Sequence, residues 1–224
     1  MTGAGGQPIF ADRRDAGRKL AARLVGFAHA HPLVLALPRG GVPVAFEVAQ
    51  ALRAPLDLVM VRKIGAPGME EFGIGAVVDG HDPQLVLDER HVRLVRPPQG
   101  YVDAEVRRQL EEIERRRQAY LPDRAPPAVT GKAVIVVDDG IATGNTAKAA
   151  LRALRGGRPG RLVLAVPVAE TSAVEALAAE ADEIVSLHAP RRLRSVGEHY
   201  ADFTQTTDAE VIRLLGASLA PGST

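Results

Sequence analysis

Short, continuously apolar runs alternate with segments whose apolar residues recur at helical spacing, and this alternation limits the possible folds more than any other feature of the chain. Leu33 to Leu37 is followed by a helical pattern over Val42 to Leu52 and by a second strand-like run from Leu56 to Val61. The pattern resumes with Ala133 to Val137, a helix from about Thr146 to Leu154, then Leu162 to Val166, a helix from about Ser172 to Ala181, and Ile184 to Leu187. Strands that are apolar at every position are buried on both faces, and strands joined through helices run parallel. The expected fold is α/β, with a doubly wound, mainly parallel sheet. Ahead of it, Ala16, Leu20, Leu24 and Phe27 share one side of an amphipathic helix over Asp12 to Phe27, which His31-Pro32 ends.

Between the two blocks the texture changes. Gly65 to Gly80 is glycine-rich, Leu85 to Leu87 is a short apolar run, and Asp103 to Tyr120 sets Val106, Leu110 and Ile113 among Arg and Glu until Pro122 stops the helix. Residues from about 85 to 127 read as a charged helical insertion, mostly a solvated face and suited to touching a partner subunit. Its Arg115-Arg116-Arg117 run is too short, and too balanced by Glu, to imply RNA. Pro122 to Pro127 would serve as a stiff connection, but no linker or repeat divides the chain, and a single domain over 1–224 is expected.

Composition narrows the function. The 28 basic and 27 acidic residues leave a net charge of +1, so no global field recruits nucleic acid or an acidic membrane, and neither is expected as a partner. Cysteine is absent, which removes disulfides, thiolate metal sites and a cysteine nucleophile and fits a reducing interior. The longest apolar runs fall far short of a bilayer span, and Met1 to Gly6 is small and loose without the features of a signal peptide, so the expected location is the cytoplasm.

The most informative chemistry follows the strand ending at Val137. Two adjacent acids, Asp138 and Asp139, lead into Gly140-Ile141-Ala142-Thr143-Gly144-Asn145-Thr146 and then an alanine-rich helix. Ligands of open α/β sheets bind at the carboxyl ends of strands. Gly144 lets backbone approach an anion, Thr143 and Thr146 offer hydroxyl donors, and the helix start adds unpaired N–H groups and the positive dipole end. The acids are acceptors, poor for phosphate but apt for the 2- and 3-hydroxyls of a ribose. Together they match a ribose 5-phosphate. A Walker loop is excluded because three residues separate Gly140 from Gly144 and no Lys follows, and the dinucleotide fingerprint is missing here. Alone, the segment could still be a tight turn with a threonine helix cap.

The run Val134 to Thr146 resembles the phosphoribosyl-pyrophosphate signature of type I phosphoribosyltransferases: four apolar residues, two acids and a Thr-Gly-x-Thr loop. Gly140 departs from it, since the family more often has a branched apolar residue there. The resemblance implies a Rossmann-type phosphoribosyltransferase fold, with a small C-terminal hood over about 189–207. It also implies phosphoribosyl pyrophosphate with a base or nucleotide as partners, Mg²⁺ held mainly through the substrate diphosphate and water, no dedicated metal ligands, and a homodimer.

A second loop fits the other half of such a ligand. Leu33 to Leu37 runs into Pro38-Arg39-Gly40-Gly41, which alone reads as a strand-to-helix turn with a solvated Arg but beside the first motif offers an arginine fork and exposed backbone N–H groups that suit a diphosphate. By resemblance, Arg39, Gly40 and Gly41 form the pyrophosphate loop, a place where the family often has a cis peptide. Pro-Arg-Gly-Gly, Arg62-Lys63-Ile64-Gly65 and the late Asp202-Phe203-Thr204-Gln205 together resemble a bacterial subgroup whose members mostly lack an assigned substrate. Lys63 either reaches the pyrophosphate or marks an exposed strand end. Gly65 to Gly75, with Glu70, Glu71 and Phe72, is either the family's mobile flap or an ordinary loop. Tyr200 and Phe203 either stack on an acceptor base or pin the C-terminus to the core, and His199 has no second ligand at metal-binding spacing.

The expected activity is transfer of the 5-phosphoribosyl group to a nitrogenous base, a purine being one candidate, with release of pyrophosphate. Asp138, Asp139, Arg39 and Lys63 are the candidate catalytic residues, and the loops with Tyr200 and Phe203 bind substrate. Two alternatives remain open: a binding or regulatory module that kept the site without transfer, and an enzyme that uses water or phosphate as acceptor.

Overall fold

The computed structural model describes residues 8–80, 83–122 and 124–218, so the loose Met1–Gly6 start lies outside the described residues. In chain order the elements are α1 (Arg13–Leu24), β1 (Leu33–Ala36), α2 (Gly41–Leu52), β2 (Leu56–Leu58), β3 (Val61–Ala66), β4 (Met69–Val78) and β5 (Gln84–Leu87). After them come α3 (Glu89–Val95), α4 (Tyr101–Tyr120), β6 (Ala133–Val137), α5 (Asn145–Gly156), β7 (Arg161–Val168), α6 (Thr171–Leu177), β8 (Glu183–His188) and α7 (Asp208–Ser218). Five strands form one parallel sheet in the order β2-β1-β6-β7-β8, in register from Leu33 beside Val134 to Ala36 beside Val137.

The apolar strands are buried on both faces, as their composition requires. Val34, Ala36, Ile135, Val137, Val163 and Ala165 point into a core shared with α1, α2, α4 and α7. Their neighbours Leu33, Leu35, Val134, Val136, Leu162 and Leu164 point into a second core, closed by α5 and α6. Side chains alternate across a strand, so one uninterrupted apolar run feeds two layers. No helix among the described residues is long and apolar enough to cross a membrane.

One expected strand divides. The apolar run Leu56 to Val61 leaves the parallel sheet after β2: Val59 N–H still donates to the Ala36 carbonyl at 3.0 Å, and the Met60 carbonyl then accepts from Asp79 N–H at 3.0 Å. From there β3, β4 and β5 form a separate antiparallel arm. The glycine-rich segment Gly65 to Gly75 is the tip of its hairpin, turning between β3 and β4 with an irregular register at Gly65. The side chain of Glu71 lies outside the described residues.

The insertion helix departs further from expectation. Much of α4 is solvated and laced with short-range pairs, such as Arg108 with Glu105 and both Arg115 and Arg116 with Glu112. Arg117, however, is only 3% exposed, and its guanidinium reaches Asp57 of β2 at 2.8 Å and Asp79 of the arm at 3.0 Å. Asp57 is fully buried and also lies 3.1 Å from Arg124. Burial pushes the Asp79 carboxyl up to about 6, against the pull of the Met60 N–H and Arg117. Arg117 thus joins the sheet, the arm and α4 at one buried point. Arg62 on β3 adds a bond to the buried Gln109 of α4 at 2.9 Å.

Removing one partner of a buried ion cluster leaves an uncompensated charge. Arg117→Met is expected to lower the unfolding free energy by about 3–5 kcal/mol in urea titration. Arg115→Met, which breaks an exposed pair, should change it by less than about 1 kcal/mol. Equal effects from the two substitutions would refute the assignment.

Candidate functional site at the switch between β1 and β6

The chain winds away from β1 toward β2 on one side and from β6 through β7 to β8 on the other, so the order reverses between β1 and β6. A crevice opens at the carboxyl ends of strands at such a point. The two loops singled out from sequence leave these two strands.

They are pressed together. Leu37 N–H donates to the Val137 carbonyl at 2.9 Å, continuing the pairing one residue past β1. The Pro38–Arg39 peptide is cis, and Gly40 is the N-cap of α2. A Cβ on Gly40 would lie 2.1 Å from Asp139 Oδ2, and one on Gly41 would lie 2.7 Å from the Val137 carbonyl. No residue larger than glycine fits without moving the acids. Arg39 turns aside, its Nη1 3.2 Å from Asp208 at the start of α7, and Asp208 also accepts from the Tyr120 hydroxyl at 2.6 Å. That hydroxyl, with Arg39, holds the Asp208 carboxyl below the usual carboxylate range.

The second loop is anchored by backbone. Ile141 N–H donates to Val168 and Glu170 N–H donates to Ile141, both at 2.9 Å, which seats the loop on the end of β7. Ile141 is buried while Thr143, Asn145 and Thr146 are exposed. Gly144, at φ 75°, precedes α5, and the first turn of that helix directs its N–H groups outward. At Gly140 a Cβ would meet Val196 Cγ1 at 2.4 Å. The branched residue more common there in the family is excluded because Val196 of the C-terminal segment packs onto this spot.

Asp138 and Asp139 are partly buried. Asp138 Oδ1 accepts from Asp139 N–H at 2.9 Å. Burial, reinforced by the Asp139 charge, pushes the Asp138 carboxyl well above its ordinary range. Burial also raises Asp139, opposed by a hydrogen bond and charge from Arg13, whose Nε donates to Asp139 Oδ2 at 2.7 Å. Arg13, from the first turn of α1, was not among the expected site residues. It also donates to the Thr204 carbonyl at 2.7 Å, and its guanidinium lies 3.8 Å over the Phe203 ring.

The hood candidates sit in this cluster. Tyr200 is 4% exposed and its hydroxyl donates to the Asp139 carbonyl. Its ring lies 5.3 Å from Phe10 and 5.0 Å from Phe203. Ile9 and Phe10 N–H groups donate to the His199 carbonyl, and Ala201 N–H donates back to Phe10, so the first described residues and the C-terminal segment close one side of the site together. Lys63 stands elsewhere. It lines a groove of about 1710 Å³ between the arm and α5, which Asn145 and Thr146 border and the two acids and Arg39 do not.

Gly40→Ala, which forces its methyl against Asp139, is expected to cost about 1–3 kcal/mol by urea titration. Gly26→Ala, where a methyl meets nothing within 4 Å, serves as the control. An unchanged Gly40→Ala protein would show that the two loops are not in contact.

A family model described as the phosphoribosyl transferase domain matches residues 11–200. A Mycobacterium tuberculosis protein with a provisional phosphoribosyl transferase name is 45% identical over 207 residues, which is 92% of this chain and 46% of that protein. The chain therefore spans about half the length of that relative. The bifunctional protein PyrR of Thermus aquaticus is 48% identical over 131 residues, covering 54% of this chain and 68% of its own. Among solved structures, the protein TT1426 of Thermus thermophilus is 45% identical and superposes with a TM-score of 0.79 over 92% of this chain and 97% of its own.

Proposed function

Because the chain belongs to the phosphoribosyltransferase family, we propose that it transfers the 5-phosphoribosyl group of phosphoribosyl pyrophosphate to a nitrogenous base, purines being the first class to screen. The observation that carries this reading is the contact between the two loops: Gly40 abuts Asp139, so an arginine-bearing diphosphate loop and a ribose-phosphate loop share one crevice. Neither loop alone accounts for a ligand with an anion at each end of a sugar.

The chemistry asks for little covalent help. Displacement at the sugar C1 builds cationic character on the ribose while negative charge collects on the departing diphosphate. Thr143, Thr146 and the first-turn N–H groups of α5 would anchor the 5-phosphate, and Asp138 and Asp139 would accept from the ribose hydroxyls, fixing C1. Arg39 would exchange its exposed partner Asp208 for the diphosphate, a stronger, bidentate acceptor. Lys63, across the groove from Thr146, would come to the same ligand with the hairpin tip of the arm. No group of three or more His, Asp or Glu among the described residues could cage a metal. Family membership is what supports Mg²⁺, which would be held through the substrate diphosphate and water and would offset the charge of the leaving group.

One observation favours a second reading, a module that binds phosphoribosyl pyrophosphate or a nucleotide without transfer. Tyr200 is buried and Phe203 already carries the Arg13 guanidinium, so the aromatic residues of the C-terminal segment are engaged with the protein itself. A screen for pyrophosphate release across nucleobases separates the two: turnover with any base supports transfer, and binding without turnover supports the module.

Calorimetry with phosphoribosyl pyrophosphate and Mg²⁺ tests the shared premise. Asp138→Asn/Asp139→Asn is expected to weaken binding at least about tenfold, the loss of one or two charge-assisted hydrogen bonds. No binding by the wild-type chain at millimolar ligand would sink both readings. Arg39→Met should weaken phosphoribosyl pyrophosphate at least about tenfold while leaving ribose 5-phosphate within about twofold, since only the former has a diphosphate to lose. Equal losses for both ligands would remove Arg39 from the diphosphate.

A further inference from the structure

We propose that Arg13 is a positioning residue of this site: from the first turn of α1 it supplies the counter-charge and sets the direction of the second of two abutting carboxylates, Asp139. The inference rests on the reading of Asp138 and Asp139 as ribose acceptors. It goes beyond that reading in assigning a role to a residue outside both loops.

The geometry is specific. Arg13 Nε reaches Asp139 Oδ2 at 2.7 Å, Nη1 reaches the Thr204 carbonyl at 2.7 Å, and the guanidinium carbon lies over the Phe203 ring, 3.8 Å from its centre. The side chains of Arg13 and Asp139 are 11% and 15% exposed, so water screens the pair weakly. Three contacts on a planar, rigid fork leave it one orientation, and an ammonium on the same stem could supply the charge without the stacking or the fork.

The surroundings leave Arg13 as the one cation on the acids among the described residues. From β6, Asp138 adds a second negative charge and turns its Oδ1 to Asp139 N–H. From the C-terminal segment, Tyr200 presents a neutral hydroxyl to the Asp139 carbonyl. From the α2 side, Gly40 contributes no charge, and the guanidinium of Arg39 is drawn to Asp208. On α1 itself, Arg14 is paired with Glu47 at 2.6 Å. Burial raises both carboxyls and Arg13 opposes the rise at Asp139. Without Arg13, the two adjacent carboxylates lose the cation that opposes burial and their mutual repulsion, and a proton taken up by the pair leaves one acceptor fewer for a ribose.

The sign follows. Removing Arg13 raises the acid pair further in the folded state, so binding that needs both carboxylates ionised fails first at low pH and recovers as pH rises. Calorimetry with phosphoribosyl pyrophosphate and Mg²⁺ over pH 5.5 to 8.5 should show the acid limb of binding shifted upward by about one unit or more in Arg13→Met, with Arg13→Lys restoring most of it. A loss of equal factor at every pH, or no loss, overturns the proposal. A ligand-free arm keeps it independent of the substrate assignment: the stability difference between wild type and Arg13→Met should widen as pH rises from 5 to 8, and Asp139→Asn in both proteins should remove that pH dependence, leaving the constant cost of the lost Thr204 and Phe203 contacts. A difference flat with pH, or a pH dependence that survives Asp139→Asn, overturns the inference even if phosphoribosyl pyrophosphate binds. Absence of ligand binding by wild type, with the ligand-free coupling present, removes the phosphoribosyl reading alone.

Discussion

Asp138 and Asp139 stand side by side where β6 emerges from a layer that is apolar on both faces, and their charge must be met by groups carried in from elsewhere in the chain. Much of the architecture around the site answers that requirement. The loop after β1 comes close but brings only glycine at the point of contact, so its arginine stays clear of the acids. The opposing charge arrives from α1, and the segment after β8 holds that charge in place through Thr204 and Phe203. Two acids that water would solvate easily on a surface are costly here, and the same cost makes them strong acceptors for hydroxyl groups that displace the remaining water.

A similar arrangement, with a different purpose, holds the arm. Asp57 in the sheet and Asp79 at the end of β4 converge on Arg117, and α4 is thereby fastened to both at its last inward-facing turn. A buried cluster of this kind contributes less to net stability than apolar packing of the same volume would, but it tolerates few alternative arrangements. The hairpin that extends toward the groove thus rises from a base whose geometry is fixed by charge.

Much of this was legible in the sequence where the signal is local. Apolar runs marked the parallel strands, and a glycine-rich turn after each of two strands marked the loops, because both depend on residues adjacent in the chain. The change of sheet after Leu58 was not legible: hydrophobicity continues through Val61 whichever sheet the residues join. Arg117 had a readable signal, since it continues the stripe Val106, Leu110, Ile113 by four residues and precedes Tyr120 by three, yet the arginine run around it suggested solvent. Arg13 had none. A basic residue in the first turn of an amphipathic helix looks solvated, and its carboxylate partner lies 126 positions away. Tyr200 stands out in a chain with three Tyr, five Phe and no Trp, but a phenol that closes on a backbone carbonyl and one that receives a base look alike without the fold.

The strip where Phe10 runs beside Tyr200 brings the first described residues and the segment after β8 to the same edge of the site. Arg13 and Thr204 are separated by 191 positions, whereas the loop from Asp138 to Thr146 hangs on β6, β7 and α5, all close to it in sequence. During synthesis, the loop and its strands emerge well before residues 200–204, and the acids can meet α1 but cannot have it locked in place. Loop-closure entropy sets the same order in refolding from denaturant, with near contacts first and the longest closure late. The pocket is therefore a seam, finished after the sheet it rests on.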